Sequence, residues 1–123
     1  MNVQELAPGL WRWTSEHGDS VYWEGADAIC LFDPHIPDEG ERFWQHLDAD
    51  VARTGLPVAV VLTQPSRERA VLELATRYGA STHGPLRGLD ELPGGVEVVG
   101  RGATGTAYRV PASPPLIVGR LDV

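Results

Sequence analysis

Lysine is missing altogether from this chain of 123 residues; all ten basic side chains are arginine. That excludes Schiff-base chemistry, a phosphate-loop lysine and a lysine general base within the chain. Cysteine is nearly missing too. The single Cys30 lies in the apolar run AICLF and cannot close an internal disulfide, so it reads as a buried, reduced thiol rather than a nucleophile. No apolar run approaches the ~20 residues of a membrane helix, and MNVQELAPG has neither the basic nor the apolar region of a signal peptide. The expectation is a cytoplasmic protein with no membrane partner. Positive charge is scarce as well, with a net charge of −7. Nucleic acid is therefore not an expected partner, because neutralising a phosphate backbone takes a net basic surface.

What is present describes one globular domain over residues 1–123, with 42% hydrophobic and 22% charged residues. The acids crowd one end. Residues 1–50 carry eleven Asp or Glu against Arg12 and Arg42, whereas residues 51–123 carry six acids against eight arginines. The two parts can attract one another within a molecule or across an oligomer, and internal pairing is the simpler account.

Local pattern gives an alternation of strands and helices. Pro8-Gly9 marks a turn, after which Trp11 and Trp13 share one strand face and Arg12 points the other way. SVYWEG places Val21 and Trp23 on one face. Ala28 to Phe32 is a continuous apolar run, as in a central strand covered on both sides, and Asp33-Pro34 stops it. Phe43, Trp44, Leu47 and Val51 recur at helical spacing, with acids ahead of them and Gly55 behind. Val58 to Leu62 reads as a buried strand. A second helix follows, capped by Ser66, with Val71, Leu74, Ala75 and Tyr78 on its apolar face and Gly79 closing it. Ser81 to His83, Val96 to Val99, Thr106 to Val110 and Leu116 to Val118 are expected strands, and GRGATG between two of them reads as a turn. The order predicts an α/β layered fold with helices outside a mixed sheet; periodicity leaves the strand order open.

LAPGLWRW, AICLFDP, LTQPSRERAVLELATRYGA, and VEVVGRG with the later PPLIVGRLDV together resemble the metallo-β-lactamase-like hydrolases in order and spacing. The resemblance covers most of the chain and implies an αββα-type sandwich. In that family a strand ending Leu-Thr runs into His-x-His-x-Asp-His, which holds zinc. Here Leu62-Thr63 is followed by Gln64 and Ser66 at the first two histidine positions, Glu68 at the aspartate and Arg69 at the last histidine. The later Gly-Asp step, whose aspartate bridges two metals, is Gly119-Arg120. Amide and hydroxyl are poor zinc ligands at neutral pH, and a guanidinium stays protonated. The resemblance thus implies a family frame with a vestigial metal site at Gln64, Ser66, Glu68, Arg69 and Arg120, no catalytic residue and no cofactor. The family continues past the second Gly-Asp strand, whereas this chain ends three residues after Arg120. An incomplete sandwich is the expectation, with an uncovered apolar sheet face that would seat a second copy or another protein.

Other uses of the same residues stay open. Asp33, His35, Glu68 and His83 could converge on one zinc, manganese or iron ion, as strand ends are where α/β sites form. That would make the chain a metal-dependent hydrolase rebuilt around Asp33, His35 and Glu68. Glu68, Arg69 and Arg120 could instead form a salt-bridge network in the metal's place. Arg67, Arg69 or Arg120 could also hold a carboxylate or phosphate, as in a small-anion sensor. The leading expectation is a non-catalytic homodimer or partner-binding module.

Overall fold

The computed structural model describes residues 2–16, 18–38, 40–64, 68–85, 92–102 and 105–119. These form a mixed six-stranded sheet, an antiparallel three-stranded sheet and two α-helices, so the chain is an α/β fold. The first sheet is built in sequence order. β1 (Asn2–Ala7), β2 (Leu10–Ser15), β3 (Gly18–Glu24) and β4 (Ile29–Phe32) pair antiparallel. α1 (Glu41–Thr54) then crosses over to β5 (Val58–Val61), and α2 (Glu68–Tyr78) to β6 (Ser81–His83), both strands pairing parallel. The second sheet holds β7 (Glu97–Arg101), β8 (Thr106–Val110) and β9 (Leu116–Val118) in that order.

Alternation along the central strands splits the core in two. In β4, Ile29 and Leu31 face the helices, where Phe43, Leu47, Val71 and Leu74 cover them. Cys30 and Phe32 point the opposite way and meet Val96, Tyr108 and Val110 from the second sheet. All four residues of β4 are buried, as the unbroken apolar run predicts. The helix stripes read from the sequence are those that pack: Trp44 and Val51 flank Phe43 and Leu47, and Tyr78 flanks Val71 and Leu74. Ala70 is buried as well, while Leu72 is 66% exposed. Both helices end as predicted, on Gly55 and Gly79 at φ 66° and 65°. The Ser66 cap lies outside the described residues.

The expected pairing between the acidic first half and the arginine-rich second half is present. Arg53 bonds Glu24 and Asp50, and the Arg77 guanidinium lies 4.6 Å over the Trp44 ring while bonding Asp48 at 2.7 and 3.2 Å. The Asp48 carboxyl is held below its ordinary range by those bonds to Arg77 and by one from the Tyr78 hydroxyl. Cys30 is fully buried, and burial, with Asp27 nearby, pushes its thiol up to about 12.

Candidate functional site

Two places could carry function: the strand ends singled out by the sequence, and a groove on the helix face of the large sheet. At the strand ends the Asp33 carboxylate joins β4 to the turn after β5. Asp33 closes β4 at φ 45°, a left-handed position that aspartate tolerates. Its Oδ1 accepts the Thr63 backbone N–H at 2.8 Å, and its Oδ2 accepts the Thr63 hydroxyl. Thr63 O in turn accepts the Thr106 N–H at 2.8 Å, and the buried Tyr108 hydroxyl donates to Leu62 O at 2.6 Å. The two sheets are stitched together here. Backbone crowds the same point: a Cβ on Gly119 would lie 2.6 Å from Thr106 O and 3.0 Å from Thr63 Cγ2.

The predicted ligands fall on different parts of this seam. Gln64 is exposed beside Gly105. His35 is buried under the turn into β3, its Nε2 3.0 Å from where a Gly18 Cβ would stand, and its backbone bonds Ser20 Oγ and Trp13 Nε1. His83 sits 3.0 Å from Ser81 Oγ, and burial lowers its pKa. Asp33, His35 and His83 do not come together as metal ligands; among the described residues no three His, Cys, Asp or Glu side chains do. Ser66, Arg67 and Arg120 lie outside the described residues. So do the side chains of Glu68 and Arg69, which open α2. The salt-bridge network and the anion site therefore also lie outside the described residues.

The groove was not read from the sequence. Its floor follows from strand register. Glu5 pairs with Trp11, Trp11 with Tyr22, and Tyr22 with Leu31, so these four side chains form one row across the helix face. The row runs from a carboxylate at the outer strand to a buried leucine at the centre. A second row holds Val3 and Trp13. The other wall is α1, where Phe43, His46, Leu47, Asp50 and Arg53 recur at three- and four-residue steps. Phe43 packs on Trp13 at 5.5 Å between ring centroids, leaving the more polar members along the rim. The result is a half-open groove of about 530 Å³.

Its electrostatics are mostly acidic. Among the described residues, Glu5, Glu24 and Asp50 line it with the guanidinium of Arg53, which bonds both Glu24 and Asp50. The Tyr22 hydroxyl, 3.3 Å from Glu24 Oε1, is pushed well above its ordinary pKa by burial first, then by Asp50 and Glu24. It stays protonated and can donate. Within the groove the exposed apolar side chains are Val3, 55% exposed, and Trp11, 36%; Leu72, Val99 and Ile117 are exposed elsewhere. The one-face placement of Trp11 and Trp13 was the signal for this groove. What the sequence withheld is that α1 covers Trp13 through Phe43 but leaves Val3 and Trp11 exposed.

Comparison with known protein families, with curated proteins and with solved structures found no match for this chain.

Proposed function

We propose that this chain is a small, non-catalytic protein of metallo-β-lactamase-like fold that works as a homodimer or as a partner-binding module. The observation that carries the reading is the half-open aromatic groove between β1, β2 and α1: apolar side chains left uncovered on a sheet face are a cost in water that a bound surface removes. The order of helices, mixed sheet and antiparallel sheet supports the fold assignment, as does the run from Leu62-Thr63 into α2. Loss of the ancestral chemistry is supported by Gln64 at a zinc-ligand position and by an Asp33 carboxylate given over to Thr63.

The test pairs two measurements on the same preparation. The first is sedimentation across a concentration range. The second is elemental analysis after incubation with zinc, manganese and iron, followed by desalting. Self-association, or capture of a defined partner, with no retained metal supports the module. One tightly held ion per chain, together with hydrolysis lost to chelator and to Glu68→Ala, would replace it with a metal-dependent hydrolase rebuilt around Asp33, His35 and Glu68. A rise in melting temperature with particular anions, removed by Arg120→Ala, would replace it with an anion sensor.

A further inference from the structure

We infer that the groove seats a basic amphipathic helix from a partner protein, an inference that rests on the binding-module reading and names its partner's chemistry. Width is the first reason. β1, β2 and the near half of β3 make a strip about 10 Å across at the ordinary strand spacing, which is the diameter of one helix. A helix laid on that strip would lie beside α1 at an ordinary interhelical distance of about 8–10 Å. It would continue the layer that α1 and α2 begin.

Charge is the second reason. Trp11 and Tyr22 offer an aromatic strip along the middle, while Glu5, with Val3 beside it on β1, flanks it on the sheet side and Asp50 and Glu24 on the α1 side. That is the complement of a helix with an apolar stripe and basic side chains on both flanks. The exposed Trp11 face can also stack against arginine or lysine. Glu5 is exposed and ready to pair, whereas Asp50 and Glu24 already share Arg53, so the sheet side sets the stronger demand for a cation.

Among the described residues, a second copy does not supply such a helix. α1 carries Glu41, Asp48 and Asp50 against Arg42 and Arg53, and α2 carries Glu68 and Glu73 against Arg69 and Arg77. Neither helix is net basic, and each already packs its apolar stripe on its own sheet.

The probe is a synthetic helical peptide as long as α1, 14 residues, with leucine at helical spacing and lysine elsewhere. A second peptide has the same leucines with glutamate elsewhere. Both are titrated into the full chain by calorimetry, with sedimentation of the chain alone alongside. The expected result is one lysine peptide bound per chain and none of the glutamate peptide. Trp11→Ala weakens binding at least about tenfold, as for an aromatic anchor at the centre of an interface. Glu5→Gln weakens it several-fold, while Glu97→Gln, an equal loss of charge on the second sheet, leaves it unchanged. Equal losses from Glu5→Gln and Glu97→Gln would reduce the binding to diffuse attraction and overturn the inference. A dimer that Trp11→Ala dissociates would place a second copy in the groove, overturning the inference but leaving the module reading standing. A monomer that binds neither peptide and holds a metal ion would overturn both.

Discussion

Removing the Asp33 carboxylate separates a structural seam from a retained active site. Asp33→Ala deletes both acceptors of Thr63, the one facing its backbone N–H at 2.8 Å and the one facing its hydroxyl. A hydrogen bond to a charged acceptor contributes about 1.5–3 kcal/mol. Asp33 is half-buried, so water partly replaces what is lost; the low end applies, giving about 3 kcal/mol for the pair. Alanine at φ 45° adds about 1 kcal/mol of backbone cost. Unfolding entropy of about 2.1 cal/mol/K per residue over 123 residues converts each kcal/mol to about 4 °C. Asp33→Ala is therefore expected to lower Tm by about 15 °C. Asp33→Asn keeps an acceptor for the Thr63 N–H and tolerates the left-handed backbone; it should lose about 1 kcal/mol, or about 4 °C. Scanning calorimetry with urea unfolding measures both, an unchanged m-value showing that the variants unfold from the same state. An Asp33→Ala protein as stable as the parent, or more stable, would refute the reasoning. That is how a carboxylate held for chemistry at the expense of stability behaves.

Two further expectations concern packing and pH. Gly94→Ala should destabilise strongly, since its φ is 71° and the new Cβ would stand 2.8 Å from Cys30 Sγ; adding Cys30→Ala should recover the steric part of the loss but not the backbone part, as a urea-unfolding double-mutant cycle would show. His83 has its pKa lowered by burial from the ordinary 6.5, so the folded state favours the neutral ring. Its contribution is undiminished above that value and declines as pH falls below it, because the unfolded chain takes up the proton first. Replacing it in His83→Gln should flatten the stability profile between about pH 7 and pH 5, and an unchanged slope would remove His83 from the account.

Much of the architecture was legible from local pattern. The apolar run at Ala28 to Phe32 became the buried central strand, the helix stripes around Phe43 and Leu74 became the packed faces, and Gly55 and Gly79 became the helix ends. These features depend on neighbours one to four residues apart, which sequence periodicity reports directly. The strand Asn2–Ala7 was only partly visible, because its outer residues are exposed and carry no alternation strong enough to read. Of the site, the pairing of Trp11 with Trp13 on one face was visible, but not the groove that they help to form.

The sequence by itself determined the elements, their order and a lysine-free, acid-rich composition. Tertiary structure alone decided that Asp33 is spent on Thr63, 30 residues away, and that Trp23 Nε1 bonds Gly94 O, 71 residues away. It alone decided, too, that α1 buries Trp13 but leaves Val3 and Trp11 exposed. The physical reason is range. A helix or strand is specified by its own repeat, whereas which carboxylate meets which hydroxyl, and which sheet face stays bare, depends on how whole layers pack.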